Sequence, residues 1–248
     1  MNTDILRKIP SVYQENTYNG VSEQYTHIST MEVLKALDKE GWLITGGSQQ
    51  RVRNKTREGF QKHMIMLRHK DNFLGKSDEV PEIVLINSHD GSTAYNLLGG
   101  LFRFICANGM IVPNNLMQEQ HIIHKGDIVN NVIEGVYTVI KELPKMLENI
   151  DLQKSVVLDK DDRWWFADHA LRLRWEEPKI TPEEILKPQR NEDLEPTLWN
   201  TFNILQENIV YGGIKHFNSR RTRPLNSIDN TVSVNRGLWE LSNVLLNA

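Results

Sequence analysis

Short apolar runs of strand length crowd into residues 42–112, and apolar stripes at helical spacing fill the chain after residue 113. That segregation limits the fold more than any single motif. Strands followed by helices, with little alternation, argue for an α+β fold and against alternating α/β. The expected strands are Trp42–Val52, Phe60–His69, Ile83–Asn87, Tyr95–Cys106 and Met110–Val112. Arg53–Gly59 reads as a turn between the first two, and Asn108-Gly109 as a tight turn before the last. Tyr95–Cys106 is read as strand because Gly99-Gly100 would weaken a helix by about 1 kcal/mol per glycine. The resulting picture is a curved, mostly antiparallel sheet over about residues 42–112, covered by C-terminal helices.

The helices carry recognisable ends. Thr30 is expected to N-cap a helix with Met31, Val33, Leu34 and Leu37 on one face, closed by Gly41 at the C′ position. Ile128, Val132, Val136, Val139 and Leu143 repeat at helical spacing, and Pro144 should kink or end that element. Asp159–Arg174 forms another helix, and Thr181-Pro-Glu-Glu184 is a capping box with proline at N1. Leu198, Phe202, Leu205 and Ile209 make a stripe stopped by Gly212-Gly213, and a last helix runs from about Arg236 through Leu238, Leu241 and Leu245. Residues 1–20 read as a polar, loosely held arm. Residues 21–248 then form a single α+β domain, with an acidic, proline-bearing linker or lid at 176–195. At 39% hydrophobic residues, 248 positions suffice for a sizeable core. The lone Cys106, in an apolar run, reads as a reduced interior residue and rules out an intrachain disulfide. A signal-like segment is missing from the first 20 residues and no run approaches membrane-spanning length. The expectation is a cytoplasmic protein with no membrane partner.

Asn87-Ser-His-Asp-Gly-Ser-Thr-Ala-Tyr95 leads into Leu98-Gly-Gly-Leu-Phe-Arg-Phe-Ile-Cys-Ala-Asn-Gly109. With Tyr25–Gly41, Leu198–Gly213 and Val234-Asn-Arg-Gly-Leu-Trp-Glu-Leu241, this pattern resembles a family of phage- and plasmid-borne proteins known as domain of unknown function 932. The likeness spans most of the chain and implies a mobile-element protein without supplying an activity.

Charge gives the clearest chemical lead. Seven Lys/Arg lie between Arg51 and Lys70 against one acid, Glu58, although the chain as a whole carries −3. A second acid-free basic run spans Lys215–Arg223. Arg51, Arg53, Lys55, Arg57 and Lys62, with Arg220, Arg221 and Arg223, are the candidate phosphate contacts, on a groove that releases counterions from a nucleic-acid backbone. Tyr13, Tyr18, Tyr25, Trp42 and Phe60 could stack on unpaired bases. The plainer reading is a solvated hairpin face countered by the acidic 176–195 stretch. Arg103, alone in an apolar run, should either pair with an acid in the core or point into a functional cleft, and it joins the candidate set.

Asn87-Ser-His-Asp90 suggests a metal-dependent phosphohydrolase or nuclease, with His63, His121 and His124 available as further ligands. None of these has a recognised ligand spacing, and the favoured reading is an Asp-Gly turn with Ser88 and Asp90 bonding nearby backbone N–H groups. Neither a P-loop nor a G-x-G-x-x-G is present, so no cofactor is implied. Three readings stand. The first is a nucleic-acid-binding accessory protein, for single-stranded DNA binding or annealing in recombination. Its element order is broadly similar to that of phage-type annealing proteins, an analogy of fold alone. The second is an interaction factor acting on a host or phage protein, and the third is the metal-dependent hydrolase. Homo-oligomerisation stays open.

Overall fold

The computed structural model describes residues 2–71, 79–103, 108–111, 120–215 and 221–248. Cys106, Val112 and Arg220 lie outside them. The architecture is α+β, and the chain divides into two compact units, Met1–Leu143 and Pro144–Ala248.

The first unit is built on an antiparallel sheet. Before it come a short helix α1 (Thr3–Leu6), a 3-10 turn (Pro10–Tyr13) and helix α2 (Thr30–Lys39). The N-terminal stretch differs from the expected loose arm, because Leu6, Ile9 and Val12 have no exposed surface. These three residues are spaced by three, which puts one apolar edge of an otherwise polar segment against the sheet. Ile9 and Ile65 both close on Gly47, where an added Cβ would lie 2.6 Å and 3.1 Å from their Cδ1 atoms. The start of α2 also differs. Ser29 is the N-cap residue by backbone conformation and Thr30 is the first helical residue. The Thr30 hydroxyl is unavailable for capping because it is engaged by histidines, as described below. Gly41 follows the helix with φ +92°, the left-handed geometry expected of it.

The sheet order is β1 (Trp42–Gln49), β2 (His63–His69), β3 (Glu79–Asn87), β4 (Tyr95–Arg103), β5 (Asn108–Ile111), with β6 (Gln120–Ile122) also on β4. Each pairing is antiparallel. β5 takes the 100–103 end of β4 and β6 the 95–97 end. Asn108 and Gly109 pair with Arg103 and Phe102 inside the ladder, so the expected Asn-Gly turn is strand instead. Side chains alternate across the sheet, so His63, Ile65 and Leu67 share a face with Asn87, Leu85 and Ile83. Helix α3 (Ile128–Ser155) lays Gly135 against this region, where a Cβ would meet Leu97 Cδ1 at 2.7 Å.

Pro144 lies inside α3, which continues to Ser155 rather than ending there. The second unit holds the rest of α3 with α4 (Lys160–Arg172), α5 (Pro182–Ile185), α6 (Leu198–Gln206), a π turn (Glu207–Tyr211) and α7 (Ile228–Leu246). Its core is aromatic. Trp199, Phe202 and Trp239 pack with ring centroids 5.5–6.4 Å apart. The capping box forms as expected, with Thr181 and Glu184 bonding each other's backbone N–H. α7 begins at Ile228, well before Arg236, and Ser227 caps it by accepting from the Asn230 N–H. The polar run Asp229-Asn-Thr hides that start from a hydrophobic-period reading. The 176–195 stretch is packed down, with Ile180, Ile185 and Asp193 buried. Among the described residues no helix is long and apolar enough to cross a membrane.

Candidate nucleic-acid interface

The basic loop between β1 and β2 is held from beneath by a buried polar cluster. Four segments of the first unit supply it: residues 25–30 ahead of and into α2, the first residue of β2, the 87–95 stretch between β3 and β4, and the residues after β6. Its hub is the Thr30 hydroxyl. That oxygen lies 2.8 Å from His63 Nε2, 3.0 Å from His89 Nε2, 3.1 Å from Asn87 Nδ2 and 3.4 Å from the Tyr95 hydroxyl.

One proton arrangement satisfies this network. The Gln61 carbonyl, 3.1 Å from His63 Nδ1, can only accept, so His63 carries its proton on Nδ1 and offers a lone pair at Nε2. Thr30 must then donate to His63, and its two lone pairs receive the Asn87 amide and the His89 Nε2–H. With its nitrogen so used, Asn87 turns Oδ1 to His124 Nε2–H at 2.8 Å. His27 donates Nε2–H to the Gln14 carbonyl at 3.0 Å. In this arrangement His63, His89 and His124 each carry a single ring proton. His27 Nδ1, His89 Nδ1 and the Tyr25 hydroxyl are sealed from solvent without a hydrogen-bond partner.

The electrostatics follow from burial. It pushes His63 down to about 4, against the pull of the Gln61 carbonyl and with help from His124. His124 falls to about 4 for the same first reason, opposed by the backbone of Thr26 and Thr93. His89 is driven furthest below its ordinary value, by burial and then by His63, His27 and His124. Tyr25 rises to about 12 through burial and the nearby charge of Asp90.

The 87–95 stretch folds as its residue types dictate. Asp90 Oδ1 accepts from the Ser92 N–H and hydroxyl, Ser88 Oγ accepts from the Thr93 N–H, and Gly91 takes φ +77°. Burial acts to raise the Asp90 carboxyl, but hydrogen bonds from Ser92 and Ser88 and the charge of Arg57 outweigh it and hold the group below its usual range. This is the Asp-Gly turn expected as the alternative to a metal ligand. Among the described residues no group of three or more His, Cys, Asp or Glu could hold a metal ion. His121 lies apart from the cluster, with Nδ1 2.5 Å from Asn96 Oδ1.

Above the cluster, Arg51, Arg53, Lys55 and Arg57 are all exposed on the 50–62 loop. The loop is anchored at three points. The Phe60 carbonyl accepts from the His89 backbone N–H at 2.9 Å, the Gln61 carbonyl takes the His63 ring, and Arg57 pairs with Asp90 at 3.4 Å. Tyr18 packs on Phe60 with centroids 5.2 Å apart, and the Arg57 guanidinium sits 6.0 Å from the Tyr18 ring centre. Tyr13 is 44% exposed, whereas Trp42 is buried and offers no stacking face.

Other candidates fall elsewhere. Lys62 is half-buried. Arg68, which swelled the basic count in the sequence, is buried and pairs with Glu82 at 2.7 Å, directly across the β2–β3 register. Arg103 is 4% exposed and lies opposite Glu79 in the β3–β4 register, which removes it from a phosphate-facing surface. Its burial was legible from the apolar run around it. Arg221 and Arg223 are exposed and belong to the second unit. The Thr30 hub had no sequence signal, since its members are spread over nearly a hundred residues and meet only through the sheet register.

The Leu198–Gly213 and Val234–Leu241 stretches turn out to be structural partners. Gln206 donates to Asn235 at 3.3 Å, both buried. Asn208 ties the π turn to the Ile185 and Lys187 carbonyls, and Glu207 pairs with Arg190 at 2.6 Å. Gln206 and Asn208, although polar, thus lie in the core.

The chain is similar to two proteins of Escherichia coli K12, UPF0380 protein YafZ and UPF0380 protein YfjQ. Each is 37% identical over 249 residues, covering 98% of this chain and 90% of the relative. No solved structure matches it. The model of the family described as domain of unknown function (DUF932) matches residues 18–239, so the chain belongs to that family.

Proposed function

We propose that this protein binds nucleic acid, with the 50–62 loop of the first unit as its phosphate-contacting element. The observation that carries the reading is the loop itself: four exposed cations within seven residues, backed by one acid, on a backbone pinned at Phe60, Gln61 and Arg57. A pinned cationic loop loses little conformational entropy when it meets a phosphate chain, and displaced counterions supply the driving force. The Tyr18–Phe60 pair borders the loop and suits stacking on unpaired bases, which favours a single strand over a duplex. Arg221 and Arg223, with Arg220 outside the described residues, are proposed as phosphate contacts of the second unit in their own right. An accessory role in handling exposed single-stranded DNA is part of the proposal.

The test is a low-salt titration of labelled single-stranded and duplex oligonucleotides against the protein and its Arg51→Ala/Arg53→Ala/Lys55→Ala variant. Tighter binding of the single strand, weakened in the variant at unchanged thermal stability, supports the reading. Absence of binding to either oligonucleotide overturns it and shifts the weight to a protein-interaction role.

A further inference from the structure

The four histidines of the cluster do more than fill space beneath the loop. Their rings form a chain, with centroids 5.0 Å apart for His27–His89, 5.4 Å for His63–His89 and 6.5 Å for His89–His124. Every proton and lone pair of the Thr30 hydroxyl is committed, so a second proton on His63 would break its bond to Thr30, and one on His89 would find no acceptor. A proton on His63 Nε2 would face a Thr30 oxygen with no free lone pair. One on His89 Nδ1 would be sealed in with no acceptor.

Several charged and titratable groups surround the rings without an ion pair to them among the described residues. Asp90 is committed to Ser92 and Arg57, and Tyr25 stacks on His124 at 4.6 Å. Tyr95 lies 5.0 Å from the His124 ring. Glu15, Glu32 and Lys35 line a cleft of about 450 Å³ that reaches His27, and Lys125 lines another of about 270 Å³ at His124 and Tyr25. Among the described residues none of the four rings pairs with a carboxylate. Two of the loop's three anchors, meanwhile, are made by residues of the cluster: His63 Nδ1–H on the Gln61 carbonyl, and the His89 backbone N–H on that of Phe60.

We propose that this histidine cluster is an acid-sensitive latch on the nucleic-acid-binding loop, holding residues 50–62 in their binding shape while the rings are neutral and freeing them when the rings take up protons. The inference rests on the loop being the nucleic-acid contact. Burial supports it by keeping His63 and His124 near 4. In an opened cluster the rings return to about 6.5, so at pH 5 each of these rings favours the open form by a factor of about 30.

The latch has a signature that ordinary electrostatics lacks. Acidification adds positive charge, which by itself tightens binding to a polyanion, whereas a released loop weakens it. The experiment titrates the full chain with a labelled oligo-dT at fixed ionic strength from pH 7.5 to pH 5. In parallel, hydrogen-exchange protection of residues 50–62 is followed, corrected for the intrinsic pH dependence of exchange. The expected result is an affinity at least tenfold lower at pH 5. Protection of the loop is lost in step while that of α4 and α7 is retained. In His89→Gln, whose amide can still donate to Thr30, both changes are blunted. Binding that is constant or tighter at pH 5, or loop protection that persists there, overturns the latch. If oligo-dT fails to bind even at pH 7.5, the nucleic-acid reading fails, and the loop's exchange still decides whether the latch exists.

Discussion

At the scale of single residues, Thr30 is the side chain on which most depends. Replacing it with valine keeps the shape and removes both the donor for His63 and the acceptor for Asn87 and His89. Each buried group left unsatisfied costs about 1–3 kcal/mol, so Thr30→Val is expected to lose at least about 3 kcal/mol in urea unfolding, and Thr30→Ser under about 1. Equal losses for the two variants would show the hydroxyl to be dispensable. Glu82 offers a second test. Its carboxylate receives Arg68 twice and the Thr45 hydroxyl at 2.8 Å. Glu82→Leu removes the carboxylate that holds a buried guanidinium and is expected to cost about 3–5 kcal/mol, measured the same way. A loss below about 1 kcal/mol would mean that Arg68 finds another partner or reaches water.

Among the elements, α7 shows why a family motif can be structural. Gly237 faces α4's end so closely that an added Cβ would stand 2.5 Å from Leu173 Cδ2. Alanine ordinarily stabilises a helix relative to glycine by about 1 kcal/mol, yet here the overpacking should outweigh it and destabilise by about 1–3 kcal/mol. A Gly237→Ala protein more stable than the parent in thermal unfolding would contradict this packing. The same helix shows where the sequence was readable. Leu238 and Trp239 announce a buried face, whereas Ile228 to Val234 pass through four polar residues and conceal the first two turns. Strands were legible wherever apolar residues ran uninterrupted, as in Ile83–Asn87 and Tyr95–Arg103. The capping box was legible because its reciprocal bonds are local. The histidine hub was not, because Thr30, His63, His89 and His124 come from four segments joined only by tertiary pairing. Arg68 misled for a related reason: in a strand, alternate residues face opposite ways, and composition alone does not say which cation is turned inward.

For the molecule as a whole, the histidines make the stability of the first unit depend on pH. His63, His89 and His124 are held below the value of about 6.5 that they have in an unfolded chain. Between about pH 6.5 and pH 4 the unfolded state therefore binds more protons, and stability falls as pH falls through that window; above it the cost vanishes. Three such groups give a slope of up to about 4 kcal/mol per pH unit. Urea unfolding at pH 7.5 and pH 5.5 is expected to show this loss in the first unit, with the triple variant His63→Gln/His89→Gln/His124→Gln less pH-dependent although less stable. A pH-independent midpoint would contradict neutral burial of the rings.

The reading that joins these scales is a cationic loop held ready for a phosphate chain, and its salt dependence tests that most directly. A labelled single strand should be titrated at several salt concentrations and the logarithm of the binding constant plotted against that of the salt. Four loop cations at about 0.7 each give an expected slope of about −3 from this element, shallower by about 2 in Arg51→Ala/Arg53→Ala/Lys55→Ala. Binding that ignores salt, or a variant whose slope matches the parent's, would contradict it.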